Sequence, residues 1–351
     1  MSDSSKQTKF YEVVNPKNIK KGVFLFLPIT IISLTAIFFY TNTGKTLAVW
    51  KELDWRYGLL CFVFVFNDLW IGGLRNHVFA KEFKPGIPSM VAMKANVANI
   101  FLGAVTPSQT GGGVAHWYVF WKNGLKTPDF IILSFINFIS TIIFFLVSGY
   151  WAKNKLEGQI PEGLVSNLAN YGFSVFATIG ILIVVSLIFP KVIGLILEQI
   201  GRLLKGIIPN KAEKLIAFSK KTESTMQDYQ KQTLSLFKRK PWLIALSFII
   251  TVLLYFNKYA LAYFIVLAFG LEVDFWTVIA LQSIVHLLLY FAPSPGGSGI
   301  AEVGHSALMS NVIDKAYTAS FTLIQRSIMI LIPALLGAYV IIKTMNQKKV
   351  S

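Results

Sequence analysis

Charge and cysteine are both scarce in this chain. Only 14% of its 351 residues are charged, and Cys61 is its single cysteine. One thiol excludes an intramolecular disulfide and leaves the redox state of the compartment unread. Acids are the rarer sign, 17 against 33 Lys and Arg, for a net charge of +16. Hydrophobic residues make up 54% of the chain. The uncharged runs 22–40 and 131–151 are each long enough to cross a hydrocarbon core of roughly 30 Å. They predict an all-α polytopic membrane protein, and no stretch has the composition of a separate soluble domain. The lysines lie beside apolar spans, where they set topology and touch anionic leaflet lipids, so the positive charge does not point to nucleic acid.

Residues 1–21 form a polar, basic tail. The run 22–40 that follows is longer than a signal-peptide core and lacks a small-residue cleavage site, so it reads as a retained first helix. Further apolar segments lie at 57–78, 88–121, 128–151, 171–190, 241–270, 275–309 and 316–342. Two of them are interrupted by related phrases, Thr106-Pro-Ser-Gln-Thr-Gly-Gly-Gly113 and Pro293-Ser-Pro-Gly-Gly-Ser-Gly299. Proline removes a backbone donor and glycine frees the chain, so both phrases break a helix. In lipid, a broken backbone persists only where protein or a watery cavity satisfies it.

Charge decides between two topologies. If both broken segments are re-entrant hairpins, six helices span and the termini share a side. That side's loops hold 23 Lys and Arg, against 6 opposite. If the broken segments cross, the count becomes 12 against 17, and the basic stretch 191–240 faces outward. The excess of positive charge expected on cytosolic loops selects the hairpins and places both termini in the cytosol of a cell (inner or plasma) membrane protein. A cytosolic tail at 1–21 then precedes one transmembrane domain, 22–345, and 346–351 is a second tail. Within that domain, 191–240 has the helical spacing of segments lying on the leaflet.

Each half then makes an odd number of crossings, so the halves are inverted repeats whose hairpin tips approach near the midplane, an arrangement found at transport sites. The returning half-helices at 111–113 and 297–299 would aim their N-termini inward, where backbone N–H groups and the helix dipole favour an anion such as phosphate.

Ionisable residues at membrane depth are costly and functional by default. Here they are Arg75, Lys94, Lys258 and Arg326, with Asp68 and Glu302. Asp68 and Arg75 are seven residues apart and share a helix face, as a structural ion pair or as coupling groups. Arg75 and Lys94 lie close enough to the cytosolic end to snorkel. Lys258 and Arg326 lie deeper, and the planar fork of Arg326 suits phosphate. All four histidines, His77, His116, His286 and His305, lie in or beside apolar segments. His116 and His305 each follow a break and read either as polar residues satisfied between helices or as headgroup ligands.

Enzyme and metal signatures fail. Glu302-Val-Gly-His305 has di-iron spacing but lacks the second motif and the further glutamates. Asn42-Thr-Gly-Lys-Thr46 lacks the first glycine of a phosphate loop, which is Phe39 here. Gly297-Ser-Gly-Ile-Ala-Glu302 carries Glu where a dinucleotide fingerprint needs its third glycine. No catalytic residue, cofactor or metal is expected.

Four stretches resemble the lysylphosphatidylglycerol synthase transmembrane family, also called the flippase-like or UPF0104 membrane family. They are Asn99 with Thr106-Pro107, Thr110-Gly111-Gly112 and Tyr118; Ser294-Pro-Gly-Gly-Ser-Gly-Ile-Ala-Glu302; Arg326 with Pro333 and Gly337; and Leu74-Arg75. The family commonly has an acid or amide and then an arginine after the first Gly-Gly, where this chain has Gly113 and His116. The resemblance implies a stand-alone member without the soluble aminoacyl-transferring domain, one that moves or hosts a lipid without aminoacylating it.

The combined expectation is translocation of an anionic or phosphate-linked lipid between leaflets, a phospholipid or a polyprenyl-phosphate type. Its headgroup would pass Thr106, Thr110, Gly111, Gly112, Gly113, His116, Ser294, Gly296, Gly297, Gly299, Glu302 and Arg326. Asp68, Arg75 and Lys258 would act as coupling groups or ion pairs. The alternatives are an ion-coupled transporter of a small anion, an integral-membrane lipid-modifying transferase, or a non-transporting scaffold.

Overall fold

The computed structural model describes residues 24, 28, 31, 32, 35, 36, 39, 48–51, 53–159, 162–205, 209–290 and 292–347. Among them there is no strand. The expected first helix at 22–40 falls largely outside the described residues, as do both extreme tails. Twelve α-helices follow: α1 (Trp55–Phe83), α2 (Ser89–Val105), α3 (Thr110–Lys122), α4 (Thr127–Leu156), α5 (Glu162–Ile188), α6 (Pro190–Leu204), α7 (Pro209–Arg239), α8 (Trp242–Ala268), α9 (Phe275–Leu289), α10 (Ile300–Met309), α11 (Lys315–Arg326) and α12 (Ile332–Met345). A wide π-type turn, Ser327–Leu331, joins the last two into one rod. Pro333 has no N–H to offer the turn before it, which favours such a widening. By length and composition α1, α4, α8 and the rod Lys315–Met345 are long and apolar enough to cross a membrane.

The arms around the two breaks are shorter. At 1.5 Å per residue, α2 is roughly 25 Å long and α10 roughly 15 Å. α2 folds back on α3, and α9 on α10, as two helical hairpins. Salt bridges and backbone bonds fix which end of the bundle each occupies. At one end Lys240 pairs with Glu82 at 2.7 Å, and Lys122 Nζ donates to the Gln347 carbonyl at 2.7 Å. The feet of α2–α3 lie there. At the other end Asp54 N–H donates to the Ala268 carbonyl at 2.8 Å, and Lys155 meets Asp274 at 3.2 Å. The feet of α9–α10 lie at that end. Asp274 also caps α9, accepting the Thr277 hydroxyl at 2.7 Å and its N–H at 2.8 Å. The Thr277 hydroxyl is the main reason this carboxyl is held below the usual carboxylate range.

Each hairpin carries its own core. Phe79, Leu102, Tyr118, Phe120 and Leu133 pack around the first, and Leu261, Ile265, Leu281, Leu308 and Phe321 around the second. The basic 191–240 stretch consists of α6 and α7, which pack on each other. Leu236, with Tyr229 and Phe237, ties α7 to the first core, while Leu195, Ile196 and Leu203 on α6 are exposed.

Close helix approach depends on glycine. A Cβ at Gly337 on α12 would overlap the Val97 carbonyl and lie 2.7 Å from Phe101 Cβ on α2. Gly337→Leu is therefore expected to destabilise by about 1–3 kcal/mol, through overpacking that no rotamer relieves. Gly304→Ala, whose Cβ meets nothing within 4 Å, should be neutral or slightly stabilising. Thermal unfolding in detergent checks the pair, and equal midpoints would overturn the packing account.

Candidate functional site

The first break is held by its own residues. Thr106 Oγ1 donates to the Leu102 carbonyl at 2.5 Å and accepts the Gly111 N–H at 2.8 Å. Thr110 Oγ1 bonds the Pro107 carbonyl at 3.0 Å. Gly111 and Gly112 are buried, and a side chain there would strike Thr106 or Asn99, so both serve the crossing of α2 and α3. Ser108 and Gln109 turn the tip in the left-handed region, at φ 50° and 55°. Without glycine that conformation costs about 1–3 kcal/mol per residue and persists only where the surroundings impose it.

The second break uses glycine. Gly296, Gly297 and Gly299 all have positive φ, which L side chains resist. Ser298 Oγ closes on the Pro295 carbonyl at 2.8 Å, and Ser294 Oγ has no hydrogen-bond partner among the described residues. Glu302 then fastens the tip. Its Oε2 accepts the Gly299 N–H at 2.6 Å, and its Oε1 accepts Arg326 Nε at 3.0 Å. Arg326 Nη1 donates to the Gly296 carbonyl at 3.0 Å. Glu302 is fully buried and Arg326 is 5% exposed.

The two tips meet. Ser108 N–H donates to the Pro293 carbonyl at 3.2 Å, and Gln109 Nε2 reaches the Leu289 carbonyl at 3.4 Å. Beside them lies a cavity of about 770 Å³. Three cations line it, Arg75 from α1, Lys258 from α8 and Arg326 from α11, together with Asp68, His116 and His286. Lys258 Nζ lies 2.6 and 2.8 Å from the two Asp68 oxygens. Arg75 instead donates through Nη2 to Thr141 Oγ1 at 2.7 Å and to the Asn137 carbonyl. Among the described residues no carboxylate pairs with it. Asn137 is fixed in turn by Asn76, its Nδ2 lying 3.0 Å from that residue's Oδ1, and by Ser247, whose Oγ donates to its Oδ1 at 3.0 Å. Four polar atoms at the cavity have no hydrogen-bond partner among the described residues: Arg75 Nε, His116 Nε2, Ser134 Oγ and Arg326 Nη2.

These positions refine the sequence reading. Gly113, His116, Gly296, Arg326, Asp68, Arg75 and Lys258 line the cavity. Thr106, Thr110, Gly111, Gly112, Ser294, Gly297, Gly299 and Glu302 do not; they build or brace the tips. The expected Asp68–Arg75 pair does not form, because Lys258 from another helix takes the carboxylate. Backbone donation from the two half-helix N-termini is also corrected at two positions, since Thr106 and Glu302 already occupy the Gly111 and Gly299 N–H groups. His305 is buried beside His286, ring centres 6.2 Å apart, and is not part of the lining. Among the described residues no three His, Cys, Asp or Glu cluster as metal ligands.

Sequence reasoning missed Asn137 and Thr141, which hold Arg75, and also Asn96. Asn137 and Thr141 lie one turn apart in an otherwise apolar run, and polar side chains in such a setting are satisfied across helices, a usable signal.

Residues 25–337 match the model of a family described as the lysylphosphatidylglycerol synthase TM region. The chain is also similar to a UPF0104 membrane protein of Pyrococcus horikoshii, 24% identical over 337 residues that span 93% of this chain and 97% of the relative. A UPF0104 membrane protein of Archaeoglobus fulgidus is 22% identical over 298 residues, 80% of this chain and 85% of that one.

Proposed function

The chain belongs to the lysylphosphatidylglycerol synthase transmembrane family, and we propose that it translocates an anionic or phosphate-linked lipid between membrane leaflets. One observation carries this reading: three buried or half-buried cations line a cavity beside the meeting point of two broken helices. A hydrocarbon-filled groove would tolerate neither the charges nor the breaks. In this reading the two hairpins are re-entrant, entering from opposite faces, and six helices span when 22–40 is counted with α5. Both termini then lie with the basic end, in the cytosol of a cell membrane. The headgroup enters the cavity while its tails stay in the bilayer, and no covalent step is involved. Asp68 shields Lys258, and Glu302 holds Arg326 in place.

Reconstitution in liposomes tests this. Loss of labelled phosphatidylglycerol from one leaflet should run at least about tenfold faster than in empty vesicles, a barrier difference of about 1.4 kcal/mol or more. No acceleration with any of several anionic lipids would sink the proposal. Uptake of a small labelled anion driven by a pH gradient would favour ion-coupled transport instead. A newly modified lipid in extracts would favour a transferase.

A further inference from the structure

We propose that the headgroup accepted by the cavity is a phosphodiester carrying a neutral polyol, rather than a monoester, a zwitterion or a cationic aminoacylated lipid. The inference rests on the translocation reading for its setting, and on the charges and free polar atoms of the cavity for its content.

The charges come first. Lys258 is matched by Asp68, and Arg326 by Glu302. Arg75 is left without a carboxylate among the described residues. Its Nη2 bonds are to a neutral carbonyl and a hydroxyl, and its Nε has no partner among the described residues. A half-buried guanidinium in that condition lacks one negative charge, and a phosphodiester supplies one. A phosphomonoester brings close to two near neutral pH, one more than the wall compensates. An amine-bearing headgroup would place a cation among three others whose two carboxylates are already engaged. Burying an unpaired charge is costly, so the cavity discriminates against it.

The free atoms indicate what else the ligand carries. Among the described residues, His116, 9% exposed, leaves Nε2 unpartnered, and Arg326, 5% exposed, leaves Nη2 unpartnered. Asn96 uses only its Nδ2, toward the Leu69 carbonyl at 3.4 Å, and Gln109 only its Nε2. The amide of Asn99 makes no hydrogen bond among the described residues; the residue lines the same cavity, its Oδ1 beside Gly112. Free amides present acceptors beside donors, and a hydroxyl is the group that answers both. The volume, about 770 Å³, lies within the range of ligand pockets and accommodates a phosphate with a glycerol, inositol or sugar attached. A phosphatidyl polyol, a glycosylated polyprenyl phosphodiester and a soluble glycerophosphopolyol share this chemistry.

Native mass spectrometry of the full chain in detergent distinguishes them. The competing probes are phosphatidylglycerol, phosphatidylinositol, phosphatidic acid, phosphatidylethanolamine, lysylphosphatidylglycerol and soluble glycerophosphoinositol. The two polyol lipids should be retained about tenfold more than the ethanolamine and lysyl lipids, and about threefold more than phosphatidic acid. Retention of soluble glycerophosphoinositol at the level of the lipids would leave the headgroup class standing and make the tails dispensable. Arg75→Gln should remove the preference over phosphatidylethanolamine, and Asn99→Leu should weaken but not abolish the preference over phosphatidic acid, whose excess charge still counts against it. Equal retention of the lysyl or ethanolamine lipid by the unaltered protein overturns the proposal, as does tighter retention of phosphatidic acid; neither result depends on a variant folding. In liposomes, equal acceleration of every lipid would keep translocation and overturn this headgroup class. The predicted retention pattern without acceleration would keep the class and discard translocation.

Discussion

Glu302→Ala is expected to destabilise the protein by about 3–5 kcal/mol, the usual loss when one partner of a buried ion pair is removed. The size follows from how completely the carboxylate is used. It is fully buried, one oxygen accepts Arg326 Nε at 3.0 Å, and the other accepts the Gly299 N–H at 2.6 Å. Alanine leaves a guanidinium uncompensated and a helix N-terminus uncapped, beside three glycines whose positive-φ backbone the carboxylate helps to hold. Glu302→Gln keeps an acceptor for Gly299 but removes the charge facing Arg326, so a smaller loss of about 1–3 kcal/mol is expected. Because the two side chains share one interaction, Glu302→Ala and Arg326→Ala should combine less than additively, with a coupling of about 0.5–3 kcal/mol. Thermal unfolding of the purified variants in detergent gives these numbers. A Glu302→Ala protein as stable as the parent would remove the bracing role. A Glu302→Gln protein of normal stability that moves no lipid would return Glu302 to the residues on the headgroup's path.

Glu302 also shows what the sequence carries and where it stops. The breaks were legible because proline and clustered glycine act on the backbone within a few residues, and the structure brings their tips together. The face from which each hairpin enters rests on the charge count alone. The role of Glu302 was half legible: a glutamate three residues after Gly299, at the start of a helix, has capping-box spacing, which favours a carboxylate turned back on its own backbone. Asp68 was harder. Seven-residue spacing puts it on one face with Arg75 but carries no information about Lys258, which arrives from a helix 190 residues later. Arg75 in turn is held by Asn137 and Thr141 on α4. Side chains that find partners across helices depend on packing registers that periodicity does not encode, so the identity of the cations was readable but their pairing was not.

A covalent tie between the hairpin tips is expected to reduce lipid exchange at least about tenfold, and reduction of the tie should restore it. Ser108→Cys with Pro293→Cys places two thiols where the backbones already touch, Ser108 N–H lying 3.2 Å from the Pro293 carbonyl. A disulfide spans Cα separations of roughly 4.4–6.8 Å, and formation of the bond is itself read by the loss of free thiol on oxidation. Cys61 is 1% exposed, within the second hairpin's core, so it does not compete. The tips are weakly joined: one ordinary hydrogen bond and one long one amount to roughly 1–2 kcal/mol net. Ser108 and Gln109 are exposed and sit in a left-handed conformation, which costs each about 1–3 kcal/mol. In the translocation reading the tips must part for a headgroup to pass between them, and the tie prevents that. The same double variant kept reduced, and each single variant under oxidation, are the controls that isolate the bond. If the tied protein exchanges lipid at the untied rate, the headgroup does not pass between the hairpins. Its path then runs along the wall formed by α1, α4 and α8, with Arg75 and Lys258 as its only cationic contacts and Arg326 reduced to a brace.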